Sequence, residues 1–161
     1  MKHFLSLIPL FHFALVAHCA GADYYIDSVN GSDNHDGLSI RNPWKSHTKV
    51  ESASLVAGDV IHFKRGSAFS GSIRISVSGT AAKPIRLTSY GTGELPKFTN
   101  PTTRDASGNA MILGGDYIIV EHLHFHDTPG EHVSGRIIMT KLAALRIEHG
   151  ANHCIIRNNE F

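Results

Sequence analysis

Four side chains in this sequence have the type and spacing to hold an anionic ligand. Lys64, Arg86, Glu121 and Arg157 each lie in a short segment where apolar residues recur. The segments are Ile61-His62-Phe63-Lys64, Ile85-Arg86-Leu87-Thr88, Ile118-Ile119-Val120-Glu121 and Cys154-Ile155-Ile156-Arg157. If these segments stack as strands, one outward row holds Lys64, Thr88, Glu121 and Arg157. A second row holds His62, Arg86, Ile119 and Ile155. Stacked strands lie about 4.8 Å apart, a spacing at which a polymer can be contacted repeatedly. Lys64, Arg86 and Arg157 could then bind carboxylates, Arg157 through two parallel N–H donors. The plainer reading is that these are solvated outer residues of a β structure. The four are candidate substrate-binding residues, and no catalytic residue is assigned.

Other chemical patterns are weaker. His122, His124 and His126 alternate, and imidazoles two apart on a strand can share a metal. However, His122 occupies a bend matched by Asn158, so the strand does not stay straight through His126. The carboxylates of Asp27 to Ser39 suggest a cation loop. They lack the alternating oxygen ligands ending in a distant Glu that calcium requires, so the segment reads as a hydrogen-bonded turn. No metal site is assigned. Asn158 and Asn159 suit a bend, where asparagine tolerates the left-handed conformation and its amide can bond to a neighbouring turn of chain. Tyr90-Gly91-Thr92-Gly93 and Gly114-Gly115 lack the following helix that a phosphate site needs. No nucleophile elbow is present.

The elements that must position these residues follow from a repeat. The pattern of Ile118, Val120 and Phe125 returns as Cys154, Ile156 and Phe161. Steps from Ile61 to Ile85, Ile118 and Cys154 are 24, 33 and 36 residues. Periods in this range mark solenoids. Alternation at period two sends one parity inward and the other to solvent. The reading is a parallel β-solenoid. Asp23 to Ile26 opens it, and Ser46 to Val56 is expected to form a short helix with Ser46 as N-cap and Trp44, Val50, Ala53 and Ala57 as its apolar stripe. A solenoid needs an atypical cap over its open end, and this helix fills that role. Trp44 therefore reads as a core residue of the cap. Pro96 to Asn109 and His126 to Gly135 read as loop insertions, and Ile137 to Met139, Leu145 to Ile147 and Cys154 to Ile156 as further strands. The chain stops at Phe161, an apolar residue that expects another rung. It is therefore expected to be the N-terminal part of a longer, apparently truncated, protein, open to self-association through this edge.

The 161 residues carry 15 Lys plus Arg against 14 Asp plus Glu, so there is no strong field of one sign. Nucleic acid is not indicated as a partner. Met1-Lys2-His3 followed by Phe4 to Ala17 has the form of a secretory leader, and Ala20-Gly21-Ala22 supplies small residues for cleavage. The expected division is 1–22 signal peptide and 23–161 mature domain, cleaved after Ala22 with Ala20 as second choice. No membrane span is expected, because the apolar run is short and interrupted by Pro9 and His12. His18 argues against a lipid anchor at Cys19. The mature protein is expected to be secreted or periplasmic. Cys154 then remains alone, at an inward position that suits a buried small hydrophobe.

The runs YYIDSVNGSDNHDGLS, NPWKS, AGDVIHFKRGSAFSG and ISVSGTAAKPIRLTSYG resemble the N-terminal region of right-handed parallel β-helix proteins of the pectate-lyase superfamily. YIIVEHLHF and CIIRNNEF resemble that superfamily's coil repeats, so the likeness spans residues 23–161. It implies an all-β right-handed parallel β-helix of three sheets, with an acidic polysaccharide along one sheet face. Lyases of this superfamily use a Lys or Arg base beside a uronate carboxyl group, often with calcium. Those groups usually sit on central rungs, so no catalytic residue carries over, and this segment needs no cofactor of its own although the full-length protein could use calcium. The expected function is that of a polysaccharide lyase in the full-length protein. The alternatives are a non-catalytic surface or matrix binding protein, or an inactive truncated fragment.

Overall fold

The computed structural model describes residues 21–100, 109–126, 144–148 and 150–161. The apolar alternations become short strands: β1 (Asp23–Ile26), β2 (Val60–Lys64), β3 (Ala68–Ser70) and β4 (Ile73–Ile75). Next come β5 (Ile85–Tyr90), β6 (Lys97–Thr99), β7 (Met111–Leu113) and β8 (Ile118–Glu121). β9 (His124–Phe125), β10 (Leu145–Ile147) and β11 (Ile155–Arg157) complete the described set. Every pairing between them is parallel. The first sheet has the order β1-β2-β5-β8-β11, the second β3-β6-β9 and the third β10-β7-β4. From β2 onward the chain visits the three sheets in the same cyclic order on each circuit. Residues one circuit apart in sequence therefore become neighbours in space.

The inward parity fills the space between the sheets. Ile61, Phe63, Ile85, Leu87, Ile118 and Val120 from the first sheet are fully buried. In the second sheet Phe69 pairs with Phe98 and Phe98 with Phe125. Phe98 lies 5.1 Å from Phe69 and 5.8 Å from Phe125 between ring centroids, and Phe63 meets it edge-on at 4.9 Å. Burying one such ring contributes about 1.5–3 kcal/mol. Phe161 stacks on Phe125 at 5.3 Å but stays 74% exposed.

Trp44 and Val50 are buried in the core at the β1 end, as expected of a cap. The Trp44 N–H donates to the Tyr25 carbonyl at 2.9 Å, and its indole N–H donates to the His35 carbonyl at 3.0 Å. Tyr24 stacks on the indole at 5.0 Å. The helix is shorter than its pattern suggests: α1 covers only Lys49–Ser52. Ser46 is not its cap, because its N–H and hydroxyl both donate to Asp33, at 2.8 and 2.6 Å. The Ser52 hydroxyl donates to the Lys49 carbonyl at 2.9 Å, and Ala53 is extended. Side chains that bond the local backbone in this way compete with helix propagation.

Two further differences concern strands. Lys97–Thr99, expected within a polar loop, forms β6. Its single apolar residue, Phe98, is too short a pattern to show alternation. The register between β2 and β5 also differs: Ile61 pairs with Leu87 and Lys64 with Tyr90, two residues from the expected alignment. A slip of two leaves every side chain on its face, so the apolar pattern cannot detect it. The alignments of β5 with β8 and β8 with β11 are as expected. The segments 101–108 and Ile137 to Met139 lie outside the described residues.

The corners repeat with the strands. Tyr117 and His153 have φ of 53° and 57°, and His122 and Asn158 have 58° and 55°. The Tyr117 and His153 rings stack at 4.4 Å. The expected asparagine bonding between turns is made by Asn159. Its Oδ1 accepts from the Leu123 N–H at 3.0 Å and its Nδ2 donates to the Val120 carbonyl at 2.9 Å.

Candidate functional site

The outward parity of the first sheet gathers most of the polar residues singled out by sequence. The observed register places Arg86 beside Val60 and Ile119, Thr88 beside His62, and Arg157 beside Glu121. Two stations result.

At the first, Glu121 joins two circuits of chain. Its carboxylate accepts from Arg86 Nη1 at 2.6 Å on one oxygen and from Arg157 Nε at 2.7 Å on the other. Glu121 is buried, while the two arginine side chains keep 36% and 49% of their surface exposed. Burial alone would raise its pKa, but the hydrogen bonds and charge of Arg157 and Arg86 outweigh that and hold the carboxyl below its usual value. Glu121, expected among outward solvated positions, is thus covered by Arg157, expected in its row, and by Arg86, expected in the other. The station carries one net positive charge.

Lys64 belongs to the second station. Its Nζ lies 3.8 Å from the Asp27 carboxylate and 5.4 Å from the centre of the Tyr90 ring. Tyr25 stacks on His62 at 4.8 Å and 10°, with Tyr90 edge-on to Tyr25 at 5.3 Å. His62 Nε2 is 2.7 Å from Asp23 Oδ1. The Tyr90 hydroxyl is buried with no hydrogen-bond partner among the described residues. Burial, then the charge of Asp27, pushes its phenol up to about 12. Sequence reasoning did not single out Tyr25, Tyr90 or Asp23 as functional. Their shared outward parity was the available signal, but it became specific only with the register.

An open cleft of about 400 Å³ lies beside Arg86, between the Gly21, Gly58 and Pro84 backbones, with Lys83 on its wall. A second Arg–Glu–Arg arrangement stands on the third sheet, where Arg74 and Arg146 both pair with Glu148. There Arg74 of β4 reaches Glu148, which follows β10, across β7, so bridging circuits is a structural role that such clusters play on either sheet.

The carboxylates of the 27–39 turn are used internally. Asp27 accepts from the Val29 and Asn30 N–H groups at 2.9 and 3.0 Å. Asp33 accepts from the Lys45 and Ser46 N–H groups at 3.0 and 2.8 Å. His124 approaches Glu160 at 3.6 Å and meets His126 edge-on, while His122 sits on its corner. Among the described residues no three His, Cys, Asp or Glu side chains converge as a metal site. The Cys154 thiol, which packs against the core, is pushed up by burial.

The chain resembles parts of lacto-N-biosidases and, in fold, part of a rhamnogalacturonan lyase. No protein-family model matches the chain. The lacto-N-biosidase of Bifidobacterium longum subsp. longum is 37% identical over 76 residues, 45% of this chain and 5% of that protein. The solved GH136 lacto-N-biosidase from Eubacterium ramulus superposes with a TM-score of 0.56 at 27% identity. That match covers 65% of this chain and 20% of the enzyme. A rhamnogalacturonan lyase superposes with a TM-score of 0.63 at 20% identity, over 83% of this chain and 34% of the lyase, a likeness of fold alone. This chain therefore spans a small part of the length of each of these proteins. Among the described residues no helix is long and apolar enough to cross a membrane.

Proposed function

We propose that this chain forms the N-terminal turns of an exported, right-handed parallel β-helix protein that acts on carbohydrate. The outer face of the first sheet is its glycan-contacting surface. The observation that carries this reading is the company of groups on that one face. Stacked Tyr25 and His62 and edge-on Tyr90 offer ring faces and edges to pyranose C–H groups, and Lys64, Arg86 and Arg157 offer cations to sugar carboxylates. An acidic polysaccharide fits this combination. In the whole protein the reaction would be β-elimination. A base takes the proton next to the uronate carboxyl group, the bond to the leaving sugar oxygen breaks as that oxygen takes up a proton from an acid, and a carbon–carbon double bond forms in the remaining uronate. Calcium would serve there by neutralising the uronate carboxylate; Asp27 and Asp33 are engaged by N–H groups of the chain and are not assigned to it.

The second reading is a glycoside hydrolase of the lacto-N-biosidase kind, favoured by the 37% identity over 76 residues. Affinity electrophoresis of the purified chain through gels containing acidic or neutral polysaccharide tests the binding face. We expect retardation by the acidic polymer, lost in Arg86→Gln/Arg157→Gln and weakened in Tyr25→Ala. Arg146→Gln, on the third sheet, should have no effect. Retardation by neutral polymer alone, unaffected by the arginine changes, would favour the hydrolase reading. Absence of binding to either would overturn the glycan face. The chain alone is expected not to cleave; with the full-length protein, ultraviolet absorbance of an unsaturated uronate separates elimination from hydrolysis.

A further inference from the structure

We propose that the mature protein keeps Gly21 and Ala22, so that removal of the leader occurs at or before the Ala20–Gly21 bond and not after Ala22. The inference rests on the export reading above and adds where the folded unit begins. Ala20-Gly21-Ala22 is the small-residue pattern that cleavage after Ala22 would use. The structure gives residues 21 and 22 a different task. The Val60 N–H donates to the Ala22 carbonyl at 2.8 Å, which carries the β1–β2 ladder one residue beyond Asp23. The Ala22 N–H donates at 2.7 Å to Oδ1 of Asp59, whose side chain is fully buried. The other oxygen of that carboxylate accepts the Val56 N–H at 2.8 Å, so Asp59 clamps the incoming strand to the turn that follows α1. Gly21 packs against this turn so closely that a Cβ would lie 2.0 Å from the Gly58 carbonyl oxygen.

Cleavage after Ala22 would remove one of the two N–H donors to a buried carboxylate and the acceptor of the Val60 N–H. It would also put a charged ammonium group at the start of the edge strand. Buried polar groups that lose their partners are costly. Cleavage after Ala20, or after Cys19, where Ala17 and Cys19 are the small residues, would spare all of these contacts.

The test is expression of the full chain, with its own leader, in a secreting host. The exported protein is examined by N-terminal sequencing and intact mass, and its melting temperature is compared with that of Gly21→Val. We expect a first residue at Gly21 or earlier and a melting point at least about 3 °C lower in the variant. An exported protein that begins at Asp23, with equal melting points, would overturn the proposal. Intact protein beginning at Met1 and confined to the cytoplasm would sink the export reading and the cleavage together. Unchanged melting of Gly21→Val in that intact protein would further show that residues 21 and 22 are not part of the fold.

Discussion

Glu121 and Tyr90 show how one sheet face can hold polar groups in opposite conditions. Glu121 is a buried carboxylate with a guanidinium on each oxygen, and Tyr90 a half-buried side chain whose buried hydroxyl has no described partner. A carboxylate whose folded pKa is depressed contributes stability that is complete above the unfolded value, about 4.3. That contribution fades as pH falls through the lower folded value. Glu121→Gln should therefore cost about 1–3 kcal/mol at pH 7, toward the lower end because solvent reaches both arginines. The gap from wild type should narrow below about pH 4. Urea unfolding at pH 7 and pH 3.5 would show it; equal stability at pH 7 would mean that the cluster contributes nothing. At Tyr90 the sign is reversed. Its phenol should titrate near pH 12, visible as phenolate absorbance rising later than that of exposed tyrosines. Tyr90→Phe should change stability by less than about 1 kcal/mol, since it removes a hydroxyl that makes no described bond. A loss well beyond that would reveal a partner for the hydroxyl.

Among the elements, the second sheet illustrates how little sequence is needed to specify a strand in this architecture. β6 is three residues long with one apolar member, and Phe98 of that strand touches Phe63, Phe69 and Phe125. Its strand state comes from neighbours one circuit before and after, not from local alternation. Phe98→Ala should cost about 3–5 kcal/mol, by lost transfer energy and an unfilled cavity between circuits. Denaturant unfolding that gives less than about 1 kcal/mol would mean that the ring stack can close over the gap. The cap has a comparable dependence on one contact. Gly37 has φ of 72°, and a Cβ there would lie 2.4 Å from the Trp44 indole. Gly37→Ala should lower the melting temperature and expose Trp44 to fluorescence quenchers; an unquenched, unchanged protein would show that the indole can move aside.

At the scale of the molecule, the parallel sheets end in apolar edges. Among the described residues β11 is the outer strand of the first sheet and β10 of the third. Beside them Ile147, Ile155 and Phe161 are 45%, 46% and 74% exposed. An edge with free backbone groups and apolar side chains pairs readily with another chain. Purified chain should therefore associate as its concentration rises, and Ile155→Lys/Phe161→Asp should suppress this. Sedimentation velocity over a concentration series decides it; a monomer throughout would show that the edge does not pair.

What the amino-acid sequence determined by itself was parity and period. Alternation at Ile61/Phe63, Ile85/Leu87, Ile118/Val120 and Cys154/Ile156 sets which side chains face inward, and the 33- and 36-residue steps bring successive circuits into register. Those two facts are enough for a stack of parallel strands. Three matters depended on contacts across circuits. The β2–β5 alignment was invisible because a two-residue slip preserves every face. The burial of Glu121 required Arg86 and Arg157, 35 and 36 residues away, to close over it. The grouping of Lys64 with Tyr25, His62 and Tyr90, rather than with the arginines, followed from the alignment once it was set. Local pattern fixes the direction of a side chain, but its neighbours in these parallel sheets come from other circuits, and only the folded chain selects them.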